Sequence, residues 1–152
     1  LDIMLPEDIP PLREEVIVAT GRSPYHNVLY LRRPDPHHVV VGFHRGDGQR
    51  DESAPVPIDA SVPHNLLVEF GSLYPPQAHP YWLDIDETEK QALRSQVLVS
   101  LDSTVLLKGD RFQWPSANAR PVYGDLPGGS TGVSNFTGRI LACGEHRQLF
   151  DP

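Results

Sequence analysis

Apolar positions along this chain come in short runs, and most of those runs suit strands better than helices. Glu15-Val16-Ile17-Val18-Ala19-Thr20 is rich in β-branched residues and predicts a first strand. After the turn signal Gly21-Arg22-Ser23-Pro24, Asn27-Val28-Leu29-Tyr30-Leu31 predicts a second strand, which stops at Arg32-Arg33-Pro34. His38-Val39-Val40-Val41-Gly42-Phe43-His44 is apolar on both faces over its centre, which places it inside a sheet and not at its edge. Arg45 to Ser53 is polar and predicts a loop, and Val56-Pro57-Ile58 is short and edge-like because proline cannot donate to a ladder. Further strands are predicted over Asn65–Leu73, over Val97–Asp102 turning into Val105–Leu107, at Val122-Tyr123 and over Phe136–Cys143, with Arg147–Phe150 as a last edge.

One stretch breaks this rhythm. Asp86 followed three residues later by Glu89 has the capping-box spacing, and it predicts a two-turn helix from Glu87 to about Ser95. Strands separated by turns, without alternating helices, point to an all-β sandwich or barrel. Proline strengthens that reading: 16 of 152 residues is about twice ordinary usage, and proline breaks helices while fitting turns and edges. The length suits one domain with one core.

The first fourteen residues read differently. Pro6, Pro10 and Pro11 stand among Ile3, Met4, Leu5 and Ile9, so residues 1–14 are expected to form an extended proline-rich arm, neither helix nor central strand. The arm either packs on its own sandwich, residues 15–152, or docks a partner through Ile3, Met4, Leu5 and Ile9. The chain begins at Leu1 and not at methionine, which suggests a processed product or a piece of a longer protein.

Val97–Asp102 turning into Val105–Leu107, the glycine-rich Gly128-Gly129-Ser130-Thr131-Gly132, and the strand Phe136-Thr137-Gly138-Arg139-Ile140-Leu141-Ala142 follow one another in order. That order resembles the C-terminal half of concanavalin A-like lectin/glucanase sandwiches, the laminin-G-like jelly rolls, over roughly residues 38–143. The resemblance implies an antiparallel two-sheet jelly roll with one short helical insertion. It implies little about activity, because such sandwiches serve as lectins, glycanases and plain interaction modules.

Charge and cysteine content narrow the partners. The formal net charge is −7 and lysine occurs only at Lys90 and Lys108, so the basic face of a nucleic-acid binder is missing. Cys143 is the single cysteine, which excludes an internal disulfide, and its place at the end of an apolar strand predicts a small buried hydrophobe. No run is long and apolar enough for a transmembrane helix.

Candidate chemistry is thin. A retaining glycanase needs two carboxylates about 5 Å apart, yet the nearest acid pairs, Asp84/Asp86 and Asp47/Asp51/Glu52, lie at a helix start and in a loop. A serine hydrolase would show a Gly-x-Ser-x-Gly elbow, which the chain lacks. His37 and His38 are adjacent and face opposite sides of a strand, so they cannot share an ion. The resemblance to laminin-G and legume-lectin sandwiches makes calcium the candidate ion, with Asp47, Asp51 and Glu52 as oxygen ligands in the loop. Tyr81, Trp82 and Trp114 are the aromatic candidates for stacking on a sugar. Arg45-Gly46-Asp47 and the acceptor triplet Asn135-Phe136-Thr137 read as chance matches.

The expected protein is therefore an all-β, non-catalytic interaction or accessory module. It would be a subunit or excised domain of a larger extracytoplasmic assembly, periplasmic or extracellular, joined to a membrane only through a partner or a missing segment. The alternative is a lectin-like glycan-binding domain.

Overall fold

The computed structural model describes residues 1–6, 10–22, 24–45, 48–110, 113–114, 120–126 and 132–144. Eleven strands and one α-helix follow in order among them: β1 (Asp2–Met4), β2 (Glu14–Arg22), β3 (Tyr25–Asp35), β4 (His38–Arg45), β5 (Arg50–Glu52), β6 (Val56–Pro57), β7 (His64–Phe70), α1 (Glu87–Ser95), β8 (Gln96–Leu101), β9 (Thr104–Asp110), β10 (Val122–Tyr123) and β11 (Arg139–Ala142). They form two antiparallel sheets, one of five strands in the order β11-β1-β7-β8-β9 and one of six in the order β10-β2-β3-β4-β5, with β6 also on β4. The all-β two-sheet sandwich with a single short helix is the observed architecture.

The core lies between the sheets. Ile17, Val18, Leu29, Leu31, Val39, Val41 and Phe43 face it from one side, and Ile3, Leu5, Leu66, Phe70, Val97, Val99 and Leu101 from the other. Phe43 and Phe70 meet across the gap with ring centroids 5.3 Å apart. A bulge in β2 lets the consecutive residues Ile17 and Val18 both reach this core, because the register shifts between Val16 and Val18. The apolar run His38–His44 is β4, paired with β3 on one side and with β5 and β6 on the other, as its two-faced pattern predicts.

Gly42 has a packing reason. A Cβ built on it would lie 2.1 Å from the Tyr30 ring, so only glycine lets that buried ring cross β4. At the other end of the sandwich, β8 turns into β9 through Asp102 and Ser103, whose φ values are +46° and +69°. Two successive left-handed residues give the hairpin turn that matches strand twist. Asp102 offsets the strain by accepting from the Asn65 backbone N–H at 2.8 Å. The helix starts as its capping box predicts: Asp86 accepts from the N–H groups of Thr88 and Glu89 at 2.8 and 2.9 Å.

Three expectations change. Part of the expected arm, residues 1–14, is strand: Asp2–Met4 is β1, held between β7 and β11, and the N-terminal ammonium donates to Leu66 O at 2.8 Å. The prolines that argued against a strand all follow it, so they end β1 and do not prevent it. Arg50–Glu52 is strand β5 and not loop, because β4 supplies its ladder partners. Cys143 is exposed and not buried, since it lies just beyond β11, the outermost strand of its sheet. Gly128, Gly129, Ser130 and Thr131, and the expected edge strand over residues 147–150, lie outside the described residues.

Candidate functional site

The residues proposed for partner contact separate. Ile3 and Leu5 are fully buried in the inter-sheet core, Met4 is half-buried on the opposite face of β1, and Ile9 lies outside the described residues. Ile3 and Leu5 therefore hold the fold together and present no surface to a partner. Their alternation with Met4 is the period-two pattern of a strand, a local signal that the nearby prolines obscured.

The aromatic candidates divide as well. Trp82 is 3% exposed, and its indole N–H donates to the carbonyls of Pro75 and Pro76, both at 3.0 Å. Tyr74 and Tyr81 pack on it with centroids 5.8 and 4.8 Å away. This is an internal aromatic cluster under a proline-rich loop, and Trp82 offers no face for stacking. Trp114 is different. Its ring packs edge-on against Tyr25 at 4.8 Å, and Tyr25 is 60% exposed.

A buried polar network holds Trp114 there. The Asn27 side chain donates to Trp114 O at 2.9 Å and accepts from Trp114 N–H at 3.1 Å, so it pairs with that backbone as a neighbouring strand would. Asn27 also donates to Ser72 at 2.9 Å, and Ser72 shares a 2.6 Å hydroxyl bond with Thr20. Gln113 closes the network by accepting from Ser72 N–H at 3.0 Å and donating to Gln96 O at 2.8 Å. Asn27, Thr20, Ser72 and Gln113 are all buried, so these bonds form away from competing water. Tyr25 went unnoticed in the sequence because nothing local links it to Trp114.

Of the calcium candidates, the two described, Asp51 and Glu52, do not converge. Asp47 lies outside the described residues, while Asp51 and Glu52 are consecutive in β5 and point to opposite faces. Glu52 accepts from Arg32 Nε and Nη2 and from the Tyr30 hydroxyl, the last at 2.9 Å. The Arg32 hydrogen bonds, with help from Tyr30, hold the Glu52 carboxyl below its ordinary range despite partial burial. Burial and the neighbouring Glu52 push the Tyr30 phenol far above its ordinary value. Arg50 stands over the Tyr30 ring and pairs with Glu14, so this row on the outer face of the six-stranded sheet is an ion-pair network. Among the described residues no three His, Cys, Asp or Glu side chains converge as a metal site.

One pair resembles catalytic chemistry. His64 and Asp102 approach to 2.6 Å, with His64 buried. The other ring nitrogen of His64 faces Asp59 O at 2.7 Å, so both nitrogens are spent on fixed acceptors. Burial pushes the Asp102 carboxyl up, but hydrogen bonds from His64 and the Asn65 N–H outweigh it and hold it low. The pair ties the β8–β9 turn to the start of β7. A general base would need a free nitrogen, and His64 keeps none.

The two outer sheet faces differ. On the six-stranded sheet, Val16, Ala19, Val28, Tyr30 and Val40 are fully buried, and Leu126 and Val133 pack over the first, second and third of these. On the five-stranded sheet, Leu67 of β7 pairs with Ser100 of β8, which pairs with Val105 of β9, and this row points away from the core. Leu67 is 47% and Val105 54% exposed, on either side of the small Ser100. Half-buried Leu98, two residues before Ser100 on β8, adjoins them on the same face. No helix among the described residues is long and apolar enough to cross a membrane.

No family model, no curated protein and no solved structure matches this chain.

Proposed function

We propose that this protein is a non-catalytic interaction module, a subunit or excised domain of a larger extracytoplasmic or membrane-associated assembly, which binds a protein partner through the outer face of its five-stranded sheet. The observation that carries this is the exposed row of Leu67 and Val105 across Ser100, on one sheet face while the other sheet's outer face is filled. Grouped apolar side chains on a rigid sheet are the usual centre of a protein–protein contact. Glu69 and Lys108 border the row and would supply a polar rim. The likeness to concanavalin A-like sandwiches, and the location outside the cytoplasm that goes with it, belong to the same proposal and rest on the order of strands and glycine turn in the sequence.

The test compares mild affinity purification from the native source using the wild type and a Leu67→Arg/Val105→Glu double variant. Both positions are solvent-exposed, so the variant keeps its melting temperature. A stoichiometric partner should accompany the wild type and be lost from the variant. Retention of that partner by the variant would sink the sheet-face reading.

A second reading has an observation of its own. Tyr25 and Trp114 form an exposed edge-on aromatic pair on a rigid polar support, and a sugar ring could stack on Tyr25. A glycan array bound by the wild type and abolished by Tyr25→Ala would favour the lectin-like function.

A further inference from the structure

Away from the sheet face, a cleft of about 320 Å³ opens where the end of β1 meets the loop before β7 and the entry to β11. That volume is at the lower end of the range of small-ligand sites. Its walls are of two kinds. Met4, Leu5, Pro6 and Ala60 form an apolar side, while Ser61, Thr137 and Arg139 form a polar one.

The polar side has a defined hydrogen-bonding character. Thr137 gives its backbone N–H and its hydroxyl proton to the buried Glu15 carboxylate, at 3.0 and 2.8 Å. Ser61 gives its hydroxyl proton to Asp59 at 2.6 Å. Both hydroxyl oxygens therefore keep lone pairs and have no proton left to offer. Arg139 is the reverse: its side chain is exposed and makes no hydrogen bond or ion pair among the described residues, so its donors are available. The cleft thus presents a fork of donors beside two acceptors, against an apolar wall.

The wall is held from below. Glu15 is 1% exposed and also lies 3.4 Å from Arg13, so the carboxylate that anchors Thr137 is itself compensated. Arg33, also buried, donates to Pro6 O at 2.8 Å and adds positive charge behind the apolar side. Asp59, next to the lining residue Ala60, accepts from the Ser61 N–H and hydroxyl. Gly138 lets the entry to β11 approach β1, since a Cβ there would fall 2.3 Å from Met4 O.

We propose that this cleft binds the C-terminal residue of a polypeptide. Its free carboxylate pairs with Arg139, its amide N–H donates to the Thr137 or Ser61 oxygen, and an apolar side chain lies against Met4, Pro6 and Ala60. A carboxylate matches the planar guanidinium fork, the adjacent N–H matches an acceptor that has no proton of its own, and both lie one residue from an apolar group. The inference deepens the interaction-module reading and rests on it: the partner's terminus would be read here while its body meets the sheet face.

The test titrates the tripeptide N-acetyl-Gly-Gly-Leu, as free acid and as C-terminal amide, into the ¹⁵N-labelled protein and follows amide shifts. The acid should give saturable shifts at Ser61, Thr137, Gly138 and Arg139, and the amide should bind at least about tenfold more weakly. Arg139→Gln, a surface change, should weaken the acid by about tenfold or more and leave the amide unchanged. Equal affinity for acid and amide overturns the proposal, as does the absence of saturable shifts up to about 10 mM. Tighter binding of glucuronic acid than of the peptide overturns it in favour of a carboxylated sugar. The Leu67→Arg/Val105→Glu variant should bind the tripeptide like the wild type. A failed titration thus condemns the cleft alone, and a partner retained by that variant condemns the sheet face alone.

Discussion

Replacing Asn27 by alanine tests whether the buried polar network sets the position of Trp114. The amide side chain is fully buried and makes four hydrogen bonds: to Ser72 at 2.9 Å, to Thr20 at 3.3 Å, to Trp114 O at 2.9 Å and from Trp114 N–H at 3.1 Å. Alanine removes all four. Ser72 and Thr20 retain their mutual bond, so their loss is small. The Trp114 N–H and C=O each lose the bond that Asn27 gives them, and losing such a part-buried hydrogen bond costs about 1–3 kcal/mol. Two such groups plus a small cavity give an expected destabilisation of about 3–5 kcal/mol. For a chain of this size that lowers the melting temperature by about 6–20 °C. Urea denaturation read by circular dichroism measures the first quantity, and the emission of Trp114 in a Trp82→Phe background reports the second consequence, a red shift as the ring leaves Tyr25. A loss below about 1 kcal/mol with unshifted emission would show that water replaces the Asn27 amide and that the network does not position the aromatic pair.

Three further outcomes follow from the packing. Gly42→Ala puts a methyl group 2.1 Å from the Tyr30 ring, and thermal unfolding should show a loss of about 1–3 kcal/mol; an unchanged midpoint would mean that the ring moves freely. Asp102→Ala removes the carboxylate held by Asn65 and His64 while leaving a side chain at positive φ, so it should cost about 2–4 kcal/mol, and Asp102→Gly should cost about 1 kcal/mol less. His26 is buried with neither ring nitrogen partnered among the described residues, and burial lowers its pKa from 6.5. Above that value neither state is charged and nothing is lost; as pH falls through it the unfolded chain takes the proton first. Stability should therefore fall towards pH 5 with a slope of up to about 1.4 kcal/mol per pH unit, and His26→Leu should flatten that slope. Identical wild-type and variant profiles would remove His26 from the acid response.

The strand run His38–His44, the hairpin Val97–Leu107 and the helix Glu87–Ser95 were readable because their signals are local. A two-faced apolar run, a turn between two runs and a capping box each act within a few residues. β1 and β5 were not readable in that way. Each is three residues long and depends on ladder partners elsewhere, on His64 and Ile140 for β1 and on Gly42, Phe43 and His44 for β5. Three residues carry too little pattern to separate a strand from an extended segment.

The candidate surfaces show the same division. Composition and order determined an all-β sandwich with one helix, a single cysteine, an acidic net charge and the aromatic residues available for contact. Only the tertiary structure decided which of them face solvent. Trp82 went inside because two proline carbonyls take its N–H, and Trp114 came to rest beside Tyr25 because Asn27 holds its backbone. Leu67 and Val105 became neighbours through the pairing of β7, β8 and β9, and Arg139 came to face Met4 because β11 pairs with β1. Hydrophobic periodicity is a property of each segment, whereas adjacency across a sheet depends on register, and register is settled only when all the strands bury their apolar faces together.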